Sequence, residues 1–280
     1  MQPYTIKLRG KIETVNRPLV MGILNVTDDS FYGDSRAFDE KAVAMRVRTL
    51  LDEGVDVIDV GACSTRPGCE CATAEEERRR LDMGMRVLRS IDTNVPLSVD
   101  TFRADIARHC VEDLGVDIIN DISGASDPEM ARTVAELGVP YVLMHMRGTP
   151  LDMQQRTDYG EDVVASVLTE MSRSYERLVW AGVSDIIIDP GFGFAKTLEQ
   201  NYELMRYLDA FALFGRPILV GISRKSMLTR LLGISTNDAL NATTALNTIA
   251  LERGASILRV HDVRAAKQAV TIYEAVRGRF

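Results

Sequence analysis

The chain repeats one pattern: a continuous apolar run, then a stretch with apolar residues at helical spacing. The runs are VMGILNV from Val20, DVIDVG from Asp56, PLSVD from Pro96 and DIINDI from Asp117, then PYVLMHM from Pro140, DIIIDP from Asp185, RPILVGIS from Arg216 and SILRVH from Ser256. Rich in β-branched residues, they have the pattern of parallel strands covered on both faces. Sets such as Val43, Val47, Leu50 and Leu51, or Ala242, Ala245, Leu246, Ile249 and Ala250, predict helices with one apolar stripe. Gly54, Gly115, Gly138, Gly182 and Gly254 each fall just before a strand, where helices commonly end on a left-handed residue. Ahead of the first run, Tyr4, Ile6 and Leu8 alternate and Arg9-Gly10-Lys11 turns, which predicts a hairpin within residues 1–16. Eight strands in strict alternation with helices over 280 residues predict an α/β fold, a (β/α)8 TIM barrel. A doubly wound open sheet has the same alternation, but no G-x-G-x-x-G follows the first strand. No linker or shift in composition divides the chain, so residues 1–280 are expected to form one domain.

Composition narrows the function classes. The net charge of −7 comes without any long run of Lys or Arg, which argues against nucleic acid and anionic membranes as partners. The longest apolar stretches, such as Pro217 to Ile222, are far shorter than a membrane span. The opening MQPYTIKLRGKIETV lacks the basic-then-apolar order of a secretory signal, and a cytoplasmic location is expected. Of four cysteines, Cys63, Cys69 and Cys71 share one loop and Cys110 lies apart; C-x5-C-x-C without a nearby His matches no common zinc pattern, so reduced, non-liganding thiols are expected.

Barrel enzymes place their chemistry at the C-terminal ends of the strands. Those ends deliver Asn25, Gly61, Asp100, Asn120 with Asp121, His145, Asp189, the Ser223 to Ser226 segment, and Arg259 with His261. In a closed barrel the last strand neighbours the first, so Asn25, Arg66, Arg259 and His261 converge. Two arginines, a histidine and an amide suit a multiply charged anion such as diphosphate, and the Asn25 amide oxygen suits Mg²⁺ alongside diphosphate oxygens and water. Asp100, Asn120, Asp189 and Lys225 come from the opposite arc and suit a flat heterocycle with a guanidine-like edge. Taken singly, any strand-end Asp or Asn can serve as a cap or turn, and Asp121 and Asp59 are read in that way. His109 lies in a helical stretch and is read as structural; His145 stays outside the catalytic set.

The segments MGILNVTDDSF from Met21, STRPG from Ser64, SVDT from Ser98, NDISG from Asn120, MHMRGTP from Met144, DPGFGFAKT from Asp189, GISRKS from Gly221 and LRVHDV from Leu258 stand in order, each at an expected strand end. On them the chain resembles the dihydropteroate synthases over nearly its whole length. The resemblance implies joining of 4-aminobenzoate to 7,8-dihydropterin-6-ylmethyl diphosphate in folate biosynthesis, with Mg²⁺ as cofactor and a homodimer as the assembly. It implies a pterin set of Asp100, Asn120, Asp189, Lys225, Met144, Phe194 and Gly221, and a diphosphate set of Asn25, Arg66, Arg259 and His261, with Asn25 toward the metal. Phe31, Thr65, Pro67 and Ser226 would lie near the aminobenzoate, as would Phe194. Asp100, Lys225, Arg259 and His261 form the expected catalytic set. The chain departs from the family pattern at Asp28, commonly Pro, and at Cys63, commonly Glu. A pterin-dependent methyltransferase would need the pterin arc without the diphosphate cage. A non-catalytic pterin-binding subunit or another phosphosugar barrel would explain only part of the set.

Overall fold

Each apolar run identified in the sequence becomes a strand of one parallel sheet. A computed structural model describes residues 3–26, 36–63 and 72–279, with only the helical backbone for residues 36–39. The strands are β3 (Leu19–Asn25), β4 (Val57–Gly61), β5 (Leu97–Asp100), β6 (Ile118–Asp121), β7 (Tyr141–Met144), β8 (Ile186–Asp189), β9 (Leu219–Val220) and β10 (Ile257–Val260). They pair in the order β8-β7-β6-β5-β4-β3-β10-β9, and a parallel bridge between Ile188 and Ile218 closes the ring. The last strand therefore lies beside the first, with Arg259 level with Met21.

The helices form the outer layer: α1 (Arg36–Asp52), α2 (Ala74–Ile91), α3 (Ala104–Glu112), α4 (Met130–Leu137), α5 (Val163–Ala181), α6 (Leu198–Arg206), α7 (Ser226–Leu232), α8 (Leu240–Glu252) and α9 (Val263–Val276). Val43, Val47 and Leu50 of α1 pack fully buried on the strands, whereas on α8 Leu246 and Ala250 are buried and Ala245 and Ile249 of the same expected stripe are exposed. The five helix-stop glycines all have positive φ, from 59° at Gly138 to 102° at Gly254. Among the described residues no helix is long and apolar enough to cross a membrane.

The predicted hairpin is β1 (Tyr4–Leu8) paired antiparallel with β2 (Lys11–Val15). It plugs the N-terminal end of the barrel, where Ile6, Leu8 and Val15 pack on the inward residues Met21, Val57, Ile118, Val142, Ile187, Leu219 and Ile257. Burial of each such side chain contributes roughly 1.5–3 kcal/mol. Aspartates just before the strands fasten the plug: Asp185 accepts from the Lys7 amide (3.0 Å) and Asp117 from the Arg9 amide (2.6 Å). That end is shut, and the chemistry is confined to the other.

Candidate active site

Side chains in a strand alternate between faces, so the residue two places after each inward apolar one also points inward, one layer higher. Applied to the plugged layer, this rule turns Val57 into Asp59, Ile118 into Asn120, Val142 into Met144, Ile187 into Asp189, Leu219 into Gly221 and Ile257 into Arg259. On β5, Ser98 and Asp100 take the inward positions while Leu97 and Val99 join the outer core. A polar floor thus rests directly on an apolar base. Asp59, Asn120, Asp189 and Asp100 are all buried in it.

Arg259 organises this floor. Its Nε donates to Asp59 Oδ2 (2.6 Å) and its Nη2 to Asp100 Oδ2 (2.8 Å). Asp59 Oδ2 also accepts from Asn120 Nδ2 (3.0 Å), and Asp189 Oδ1 accepts from the Gly191 amide (2.8 Å). Each group has one atom tied by the protein, while Asn120 Oδ1, Asp100 Oδ1 and Asp189 Oδ2 have no hydrogen-bond partner among the described residues. Burial pushes the Asp100 carboxyl up to about 7, opposed by the Arg259 guanidinium and reinforced by the Asp59 charge. Burial likewise raises Asp189, which the Lys225 ammonium holds down.

Lys225 approaches from the segment after β9. Its Nζ donates to the Phe192 carbonyl and lies 4.3 Å from the centre of the Phe194 ring, a cation–π contact. Burial pushes this ammonium down to about 8, while Asp189 holds it up. Gly193 (φ 81°) leaves room for the lysine stem, since a Cβ there would sit 3.0 Å from Lys225 Cδ. Phe194 and Met144 share a small apolar cluster with Ile122, Met153 and Ala195. Gly221 backs on Arg259, 3.8 Å from its Cβ to where a glycine Cβ would stand.

At the rim, His261 takes a hydrogen bond at its Nδ1 from, or gives one to, Ser223 Oγ (3.1 Å), and its carbonyl accepts from Arg46 Nη2 (2.5 Å). Burial and the neighbouring Arg259 charge lower the imidazole to about 4, so it is neutral at pH 7. Asn25 ends β3 with an exposed side chain, and its Oδ1 is 3.6 Å from the Cβ position of Gly61, which Asp100 also borders. Ser226 begins α7 and is exposed. Arg224 pairs with Asp262 through two contacts of 2.8 Å and takes no part in the floor.

One assignment changes. Asp59 does not close a turn or cap a helix; it is wholly buried and binds both Arg259 and Asn120. Arg259 lies between two carboxylates of the floor, Asp59 and Asp100, and so joins the two arcs. Asp121 is a local residue as read, accepting from the Ser123 and Ala125 amides and the Tyr141 hydroxyl. His109 pairs on the outer surface with Asp82 (2.6 Å) and Asp113 (2.7 Å). Phe31, Thr65, Arg66 and Pro67, with Asp28, Cys69 and Cys71, lie outside the described residues. Cys110 is buried, which pushes its thiol up to about 12.

Sequence reasoning missed Lys196 and Glu77. Lys196 is buried beneath the loop after β8. Glu77, wholly buried on the inner stripe of α2, accepts from Thr101 Oγ1 (2.6 Å) and pairs with Arg103, whose Nη2 donates to the Ala72 carbonyl (2.7 Å). The signal for Glu77 was its register with Leu81, Gly84 and Leu88, which puts an acid on an apolar stripe where it must be paired.

Comparison with known proteins gives the same picture over the whole barrel. Residues 21–261 match the pterin binding enzyme family. The chain is 40% identical over 265 residues to a dihydropteroate synthase of Synechocystis, covering 93% of this chain and 90% of that one. It is 42% identical over 260 residues to a probable bifunctional folylpolyglutamate synthase/dihydropteroate synthase of Haloferax volcanii; this covers 92% of the chain but only 30% of that longer protein. The Xanthomonas albilineans dihydropteroate synthase, solved with 4-aminobenzoic acid, superposes with a TM-score of 0.90 at 36% identity, covering 99% of both chains.

Proposed function

Since the chain belongs to the dihydropteroate synthases of the pterin-binding enzyme family, we propose how its own residues carry out that reaction. The enzyme condenses 4-aminobenzoate with 7,8-dihydropterin-6-ylmethyl diphosphate. A C–N bond forms between the aromatic amine and the pterin methylene, the C–O bond to diphosphate breaks with its electron pair leaving on oxygen, and the amine loses one proton.

One observation carries the assignment of roles: Asn120 Oδ1, Asp189 Oδ2 and Asp100 Oδ1, on buried residues of the floor, have no hydrogen-bond partner among the described residues and remain for a ligand. Oxygens in that arrangement accept from the N–H groups of a guanidine-like ring edge, and the Lys225 ammonium donates to a ring carbonyl or nitrogen. Met144 and Phe194 supply apolar cover, and Gly221 leaves space. As the C–O bond breaks, positive charge develops on the methylene and spreads into the ring, and the Asp100 carboxylate stabilises it. Arg259 keeps Asp100 ionised and, when diphosphate is present, shares its guanidinium with the leaving oxygens. Neutral His261 donates to the same anion, and Arg66 is assigned there by family resemblance. Phe31, Thr65, Pro67 and Ser226 are assigned to the aminobenzoate on the same ground. Positioning and charge stabilisation supply the rate, without a covalent enzyme intermediate.

The donor set fits Mg²⁺ that arrives with its substrate. Among the described residues no three His, Cys, Asp or Glu could hold a metal, and Asn25 offers one neutral oxygen at the rim. Mg²⁺ keeps several waters and commonly binds through substrate phosphates, so one protein oxygen suffices. When bound, it neutralises charge on the departing diphosphate. A second copy of the chain is the proposed partner by family resemblance. A cytoplasmic location accords with the substrates of this reaction.

Diphosphate release tests this reading, with Mg²⁺ and with or without 4-aminobenzoate, the product being identified by mass. Release that requires the amine and yields dihydropteroate is expected. Pterin binding without turnover would favour the methyltransferase or the non-catalytic subunit instead.

A further inference from the structure

Lys196 takes no part in the scheme above, yet it is among the most thoroughly enclosed charges in the barrel, 3% exposed. Its Nζ donates to the carbonyls of Gly191 (2.9 Å) and Phe194 (3.0 Å), contacts His145 Nδ1 (3.0 Å), and lies 3.5 Å from the His145 carbonyl. No carboxylate lies within ion-pair distance of it among the described residues. Burying a cation against carbonyl dipoles and an imidazole, without an ion pair, costs more than an apolar side chain of the same length would. The loss shows in the ammonium itself, which burial pushes down to about 7.

The three oxygens it gathers belong to two strand-end loops. The loop after β8 is tightly wound: Gly191, Gly193 and Ala195 all have positive φ, at 71°, 81° and 51°. Ala195 has no glycine's freedom there, so the conformation must be held from outside. Lys196 ties this loop at two points, and through His145 it ties the loop after β7 as well. With the ammonium donating to Nδ1, the imidazole carries its proton on Nε2 and donates to Glu170 (3.1 Å), which is in turn held by Arg147.

What the loop presents is the pterin end of the floor. Gly191 binds Asp189, the Phe192 carbonyl accepts from Lys225, and the Phe194 ring lies against the Lys225 ammonium. We propose that Lys196 is a positioning residue that sets the shape of the 190–195 loop and, through it, the placement of Lys225 and Asp189 for the ring. This rests on the reading of the barrel mouth as a pterin site.

The test compares wild type, Lys196→Met and His145→Ala, each checked for folding by urea unfolding. Two ligands are titrated by calorimetry: 6-hydroxymethyl-7,8-dihydropterin, which has the ring alone, and inorganic diphosphate with Mg²⁺. Lys196→Met should weaken the ring by about 10- to 100-fold, the scale of misplacing a site by an ångström. Diphosphate affinity should stay within about twofold, a split that general destabilisation would not produce. Amide exchange over residues 190–195 should speed up. Ring affinity unchanged within twofold in a folded Lys196→Met protein would overturn the proposal. Should that variant not fold, His145→Ala decides, with a smaller loss of ring affinity expected and no loss overturning it. Failure of wild type to bind the ring would instead strike at the pterin reading itself.

Discussion

Replacing Asp59 by Asn should weaken the fold by about 2–3 kcal/mol and move the acid limb of activity, although both bonds this carboxylate makes stay within the floor. Asp59 is wholly buried, its Oδ2 accepts from Arg259 Nε at 2.6 Å and from Asn120 Nδ2 at 3.0 Å. For charge centres about 4 Å apart at an effective dielectric of about 20, the attraction to Arg259 is ~4 kcal/mol. Losing one partner of a buried pair usually costs ~3–5 kcal/mol. Arg259 keeps Asp100 as a second partner at 2.8 Å, and the Asn amide still offers an oxygen, so the expected loss is smaller. Equilibrium urea unfolding measures it. The kinetic signature runs the other way: the Asp59 charge is one of the causes that raise Asp100, so its removal should let Asp100 ionise at lower pH. The acid limb of kcat/KM should therefore shift downward. A loss under ~0.5 kcal/mol together with an unmoved limb would refute the argument that Asp59 anchors Arg259.

On the proposed role, in which the carboxylate acts on charge that develops only in the transition state, Asp100→Asn should lower kcat by roughly 100-fold while ring affinity falls much less; steady-state kinetics with calorimetry separates the two. In wild type, kcat/KM should fall as pH drops through about 7, where Asp100 takes up a proton, and fall again above about 8, where Lys225 loses one. Asp100 binds its proton more tightly when folded than its ordinary value of 3.8 allows, so its contribution to stability should decline as pH rises from there toward 7; unfolding across that range checks the sign. Gly191→Ala should destabilise by ~3 kcal/mol or more. Gly191 has φ 71° and an added Cβ would stand 1.9 Å from the His145 carbonyl oxygen, so thermal unfolding should show a clear drop.

Most of the architecture was legible because the physics that fixes it is local. A left-handed helix end needs glycine, and Gly54, Gly115, Gly138, Gly182 and Gly254 mark five of the helix-to-strand joints. A strand buried on both faces needs an unbroken apolar run, so even β9, only two paired residues long, was visible in RPILVGIS. Strand ends then located Asp100, Asn120, Asp189, Arg259 and His261. What escaped was set by side-chain reach and by packing between distant elements. The place of β10 beside β3 groups Arg259 with the rim, but does not tell that its side chain also reaches carboxylates on β4 and β5. Asp59 was read as local, although a charge amid VIDVG on a doubly covered strand had to find a partner inside. Lys196 follows a loop whose shape depends on three positive-φ residues, and no spacing rule points its side chain inward.

Binding of the ring alone tests the central claim most directly. Wild type and Asp189→Asn would be titrated with 6-hydroxymethyl-7,8-dihydropterin, which leaves the diphosphate contacts out of the measurement. Wild type should bind, and Asp189→Asn, which turns a carboxylate acceptor into a neutral amide, should bind at least ~10-fold more weakly. Equal affinity in the two proteins would contradict the placement of the pterin on this floor.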